Sequence, residues 1–286
     1  MAESLSHKFG QIIGDLLELA LEPHLRTFAN EHELFLDKKG KRLARAGVKV
    51  TWIDGNNNKH DLDFVLERKG SATLVGTPVA FIESAWRRYT KHSRNKAQEI
   101  QSAILPLVAK YQSASPFIGV VLAGVFTEGA ITQLKSNGFN VLYFPYETVI
   151  KAFAKFGIDA TFDERTPESD FRSKITQWNA LSENNKADIA KELLALNQEG
   201  VNDFFSALAR SITRLIEKII ILPLHGEEAV VTNASDAINF LNQYTQINQS
   251  KPFHKYEIII RYNIGDKIEA SFRDKQDAIK FLQAYL

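Results

Sequence analysis

The sequence predicts an α/β protein with an αβββαβαβ core, a helical segment, and a C-terminal α+β unit of ββαββα order. Three observations predict it. Between residues 48 and 84, strand-like segments follow one another with only turns between them. After residue 85, strands alternate with helices, which implies parallel pairing. From residue 219 onward the chain repeats its own pattern. The expected division is a core over 1–160, a helical linker segment over 161–217, and a repeat domain over 218–286.

Composition sets outer limits on function. The 286 residues are 44% hydrophobic and 24% charged, with a net charge of +1. These are ordinary values for a globular protein, and the chain can bury a substantial core. A non-specific nucleic-acid coat protein would be far more basic, whereas a site-specific binder needs only local positive charge. The absence of cysteine excludes disulfides, thiolate metal sites and a cysteine nucleophile, and fits a reducing compartment. The start Met1-Ala2-Glu3-Ser4-Leu5 lacks the basic and apolar regions of a signal peptide, and no stretch is long enough to span a membrane. A cytoplasmic protein is expected.

The first element is a helix over about 7–30, with Ile12, Ile13, Leu16, Leu17, Leu19, Ala20 and Leu25 on a broad apolar face. Glu18 sits within that face; it is either an acid aimed at a site or an edge residue with its head in water. Residues 35–46 read as a basic turn-like loop carrying Lys38, Lys39, Lys41, Arg42 and Arg45. Val48–Ile53 alternates as a strand, Asp54-Gly55-Asn56-Asn57-Asn58 is a turn, and 60–67 returns, so 48–67 reads as a hairpin. Residues 78–84 form a third strand, apolar on both faces as a central strand would be. A long helix is expected from about 85 to 112, with Tyr89, Ala97, Ile100, Ile104 and Leu107 on its buried stripe and Arg87, Lys91 and Arg94 opposite. Strand 117–124, helix 127–137, strand 139–144 and helix 146–156 complete the core. Residues 159–170 look like a linker, and helices follow to 217.

The C-terminal repeat aligns Ile219–Ile221, Gly226, Ala229–Val231, Asp236–Leu241 and Tyr244 with Ile258–Ile260, Gly265, Ile268–Ala270, Asp277–Leu282 and Tyr285. Each copy reads strand, turn, strand, helix. One copy could hardly bury its own apolar face, so the two should pack together as a four-stranded antiparallel sheet backed by two helices. The repeat carries no catalytic motif.

The chemistry concentrates in His60–Gln101. Asp63 and Glu83 sit on successive strands and, if those strands are neighbours, converge at one end of the sheet. Adjacent carboxylates repel unless a cation lies between them, and Mg²⁺ suits a few carboxylates with several retained waters. Downstream, Arg87, Arg88, Lys91, Arg94 and Lys96 fall in an acid-free run that includes Ser93 and Asn95, residue types common in phosphate contacts. The plainer readings are polar strand ends for Asp61 and Asp63, a Glu83–Arg87 ion pair, and a solvated basic surface. His60 and His92 have no partners at metal-ligand spacing, and the chain has neither a P-loop nor GxGxxG.

The order αβββαβαβ, with Asp63 on the second strand and Glu83 near the end of the third, resembles the PD-(D/E)xK nuclease superfamily, which includes restriction endonucleases. The resemblance covers residues 7–156. It implies a restriction-endonuclease-like core in which Asp63 and Glu83 bind Mg²⁺ and Glu18 on the first helix assists. It also implies a lysine two residues after Glu83, where this chain has Ala85. Lys91 is the first substitute, with Arg88 and Lys96 behind it. The expected activity is Mg²⁺-dependent, site-specific cleavage of double-stranded DNA by a homodimer of the type II restriction kind. Arg87, Arg88, Lys91, Arg94 and Lys96 would contact the DNA. The alternatives are an inactive nuclease-fold DNA-binding or scaffold protein, for which Ala85 argues, and a structure-specific repair nuclease.

Overall fold

The computed structural model describes residues 4–223, 227–244 and 253–286. The chain separates into two compact units, Met1–Leu208 and Ala209–Leu286. In the first, helix α1 (Leu5–Glu31) is followed by strands β1 (Leu34–Lys38), β2 (Val50–Ile53), β3 (Lys59–Leu62), β4 (Phe64–Arg68) and β5 (Thr77–Arg87). Then come α2 (Ser93–Lys110), β6 (Phe117–Gly124), α3 (Glu128–Ser136), β7 (Asn140–Pro145) and α4 (Tyr146–Ala154). Two further helices, α5 (Glu168–Ala180) and α6 (Glu183–Ala195), follow, and α7 (Gln198–Ile212) runs across the boundary at Leu208.

The main sheet has the order β1-β4-β5-β6-β7. β1, β4 and β5 form an antiparallel meander, and β6 and β7 join it in parallel. The parallel half needs helical crossovers, which α2 and α3 supply. One face of the sheet packs Val65, Phe81, Ala85, Val120 and Leu122 against Ala97, Ile100, Ile104 and Leu107 of α2. α1 packs on β5, and α5 and α6 pack on α1. α5 and α6 thus belong with the core.

Three sequence expectations are corrected. The basic loop at 35–46 begins with a strand, β1, which pairs with β4. The hairpin at 48–67 is divided: β2 and β3 form a separate two-stranded ribbon, and only 64–68 enters the main sheet. The helix expected from 85 starts at Ser93, because β5 keeps its ladder with β6 as far as Arg87 opposite Gly124. Gly124 has φ +97°, and a Cβ there would stand 2.1 Å from the Arg87 carbonyl oxygen, so glycine permits this close pairing.

The second unit contains β8 (Ile216–Pro223), β9 (Ala229–Val231), α8 (Ala234–Gln243), β10 (Tyr256–Tyr262), β11 (Lys267–Phe272) and α9 (Lys275–Gln283). Its antiparallel sheet has the order β11-β10-β8-β9, so each ββα copy contributes its first strand to the centre. Ile219, Ile221, Ile258 and Ile260 share one buried cluster with Ala237, Leu241, Ala278 and Leu282 of the helices. Gly226 of the repeat and His225 lie outside the described residues, as do residues 1–3. Among the described residues no helix is long and apolar enough to cross a membrane.

Candidate active site

Asp63 occupies the single position between β3 and β4, where the chain leaves the ribbon and enters the sheet. Phe64 pairs with Ile82, so Asp63 arrives beside Glu83. The two residues are joined through both backbone and side chain. Asp63 N–H donates to Glu83 Oε1 at 3.2 Å. Ser84 N–H and Ser84 Oγ donate to Asp63 Oδ2 at 2.7 and 2.8 Å. The second oxygens, Asp63 Oδ1 and Glu83 Oε2, have no hydrogen-bond partner among the described residues.

Glu83 is only 8% exposed. Burial, reinforced by the Asp63 charge, raises its proton affinity well above that of an ordinary glutamate, and Lys96 opposes the shift. Glu18 on α1 belongs to the same neighbourhood. Burial, with the charges of Asp63 and Asp15, pushes its carboxyl up to about 7, while Lys39 and Lys38 pull the other way. Three acids are therefore coupled through Asp63 with no matching positive charge hydrogen-bonded to them. Among the described residues, however, no three His, Asp or Glu side chains group closely enough to hold a metal ion by themselves.

The basic residues separate into different roles. Lys96 is 15% exposed, acts electrostatically on Glu83, and bonds Glu99 Oε1 at 2.7 Å. Lys91 points elsewhere: it is 67% exposed and its Nζ lies 3.8 Å from Glu164. Arg88 donates from Nε to the Phe162 carbonyl at 2.7 Å and stacks 3.9 Å over the Tyr146 ring, so it is tied into the aromatic wall. Arg87 donates from Nη1 to the Trp86 carbonyl at 2.8 Å and approaches Glu99 at 4.0 Å, so the anticipated Glu83–Arg87 pair does not form. Arg94 is exposed on α2.

The remaining sequence candidates are used locally. Asp61 sits on the ribbon with Lys49 and Thr51. His60 bonds Asp54 at 3.0 Å. Of the basic loop, Arg42 and Arg45 are held by buried acids and Lys38 by Glu22. Ala85, the position of the missing lysine, is 5% exposed and belongs to the apolar cluster that includes Ala97 of α2. Lys96 precedes Ala97 and approaches the acids from the helix.

Sequence reasoning missed Ser84, which anchors Asp63, and Glu99, which joins Lys96 to Arg87. It also missed two cavities beside the acids. One, of about 440 Å³, is lined by Gly10, Gly14, Ser84, Arg87, Tyr89 and Lys96, among others. The other, of about 330 Å³, is lined by Asp15, Glu18, Glu22, Lys38, Lys39 and Phe64. The only sequence trace of the first was Gly10-x-x-x-Gly14, one turn before Glu18.

No protein-family model matches the chain. No curated protein matches it. Among solved structures, it is similar to the crystal structure of a protein of unknown function, AF1548. The identity is 14% and the TM-score 0.28, over 66% of this chain and 99% of that one. At that TM-score the likeness carries no argument about fold or function.

Proposed function

We propose that this protein is a Mg²⁺-dependent DNA endonuclease with a PD-(D/E)xK-type core that cleaves double-stranded DNA at specific sites as a cytoplasmic homodimer. The reading rests on one observation: Asp63 and Glu83, on adjacent strands, each present a carboxylate oxygen without a hydrogen-bond partner, next to Glu18 and Lys96. The antiparallel β1–β4–β5 meander, followed by parallel β6 and β7 after α1, supports the same assignment.

The donor set fits Mg²⁺, which needs only one or two carboxylates and fills its remaining positions with water and phosphate oxygens. Asp63 and Glu83 would hold it, with Glu18 acting through water. When bound, Mg²⁺ supplies Lewis-acid chemistry, neutralising charge on the phosphate and acidifying a water. The chain itself does the rest. Ser84 fixes the Asp63 carboxylate through two hydrogen bonds. Lys96 supplies the positive charge that Ala85 cannot, orienting water or stabilising the pentavalent phosphorus centre. Arg87 and Arg94 contact flanking phosphates. Cutting both strands of a duplex with one kind of site is the reason for the homodimer.

The test is cleavage of a long mixed-sequence duplex in Mg²⁺ by the wild type and by Asp63→Ala, Glu83→Ala and Lys96→Ala. Discrete bands that disappear in all three variants are expected. A smear that disappears likewise would keep the nuclease but remove site specificity. Ala85 favours a second reading, an inactive nuclease-fold scaffold. DNA binding without cleavage in either Mg²⁺ or Mn²⁺ would establish it and end the enzyme reading.

A further inference from the structure

A third cavity lies at the end of the β4–β5 pair away from Asp63 and Glu83, where Glu67 pairs with Pro78. Its volume is about 220 Å³, and Trp52, Ile53, Val75, Arg45, Lys110 and Tyr111 stand in its wall. Small-molecule sites run to roughly 300–1,000 Å³, so this pocket suits one large side chain instead. The Tyr111 ring meets Trp52 edge-on at 5.5 Å. Trp52 is 6% exposed, yet its indole N–H has no acceptor among the described residues. A buried tryptophan ordinarily finds such a partner. The pocket therefore offers an apolar wall with one donor to spare.

Outside the pocket the apolar surface continues. Ile53 and Val75 are 40% and 44% exposed, Leu74 is 59% and Leu43 is 86%. These side chains stand on loops that are pinned together. Ala44 N–H donates to the Ala72 carbonyl at 3.0 Å, and Arg42 donates to the carbonyls of Ser71 and Leu74. Arg42 is itself fixed by Asp37 and Glu67. An apolar patch held open in this way marks an interaction surface.

The charges say what covers it. Asp37 and Glu67 are buried and bonded to Arg42, and Asp37 also to Arg45, so these four groups balance one another. Lys110, in the pocket wall, donates to the Ile53 carbonyl at 2.7 Å, and Lys41 beside Leu43 is exposed. Neither lysine has an acidic partner among the described residues. A second copy of this surface would add positive charge and no free carboxylate. Phosphates of a nucleic acid would answer the lysines but leave Leu43 and Leu74 in water.

We infer that this end of the protein docks a peptide segment of a partner protein in which a large apolar residue is flanked by Asp or Glu. The apolar side chain fills the pocket beside Trp52 and Tyr111, a peptide carbonyl accepts from the Trp52 indole, and the carboxylates meet Lys110 and Lys41. The inference is independent of the nuclease reading.

The experiment selects a random twelve-residue peptide library, displayed on phage, against the wild type, and discards peptides that also bind a variant combining Leu43→Ser with Leu74→Ser. The expected sequences share a large apolar residue with Asp or Glu close beside it. The best of them, fluorescein-labelled, should bind Lys110→Glu at least about tenfold more weakly than wild type, because a like charge replaces an opposite one. The substituted side chains are exposed, so both variants should melt close to wild type. Selected peptides that lack acids, or that bind Lys110→Glu equally well, overturn the acidic partner. No enrichment over the leucine variant overturns the docking site altogether. A labelled duplex DNA whose binding weakens in the leucine variant, with no peptide enriched, gives the patch to nucleic acid and overturns the inference. Cleavage of duplex DNA in Mg²⁺, followed separately, reports on the nuclease reading alone.

Discussion

The two ends of the β4–β5 pair each bury a glutamate, and they treat it in opposite ways. Glu67 is wholly buried. Arg42 grips both its oxygens, at 2.5 and 2.9 Å, Gly76 N–H adds 2.7 Å, and Asp37 accepts from the same guanidinium at 2.8 Å. Glu83, at the other end, receives one backbone N–H and faces another acid. The first end shows what a buried carboxylate needs to be structurally quiet: a bidentate cation and saturated oxygens. The second lacks both, so its charge is matched only when something is added from outside. Burial alone did not distinguish them, and the partners did.

Removing Arg42 tests the quiet end and should have the largest effect. Arg42→Ala strands Glu67 and Asp37 in the interior and should cost about 3–5 kcal/mol in urea unfolding. At the other end, Lys96→Ala should lower kcat for DNA cleavage about 100-fold, as expected when a positioned electrostatic partner is lost. Its unfolding midpoint should move little. Glu83→Gln should abolish cleavage while raising stability in metal-free buffer. The matching Glu67→Gln should lower stability.

Glu18 sharpens the contrast through pH. Its folded-state pKa, about 7, lies above the ordinary glutamate value of 4.5, so the folded protein holds an extra proton between those limits. Stability therefore falls as pH rises through that window and levels off above it. Melting temperatures measured in chelator across the window should show this slope. Glu18→Gln should flatten it, and so should added Mg²⁺. The smallest effect belongs to Lys91→Ala. Its exposed pair with Glu164 should contribute at most about 0.5 kcal/mol, and cleavage should be unchanged, in contrast to Lys96→Ala.

Asp63, Glu83 and Glu18 were legible in the sequence because acids inside apolar runs stand out. The contrast between Glu67 and Glu83 was not, since Arg42 reaches Glu67 across 25 positions of chain from a segment that reads as a basic, turn-like loop. β1 was hidden for the same reason: Leu34–Lys38 runs directly into lysines, and its strand character comes from pairing with β4. The choice between Lys91 and Lys96 depended on where α2 begins. A helix starting at 85 sets Lys91 on the same side as Arg87. The ladder with β6 instead delays the helix to Ser93, leaving Lys91 before its first turn and Lys96 on it. The C-terminal pattern needed no long-range information, because two similar copies state their own strand and helix positions. What the sequence withheld was which strands would lie in the middle.

The central β8–β10 pairing bears on the origin of that unit. Ile220 faces its equivalent Ile259, and the Ile219–Ile260 and Ile221–Ile258 pairs flank that point, so the ladder has an approximate dyad. A lone ββα chain could associate with its twin through this same ladder. Duplication and fusion would then turn an encounter between molecules into one within a single chain, making its strength independent of concentration. Each half could afterwards diverge on its outer surface while the shared seam stayed fixed.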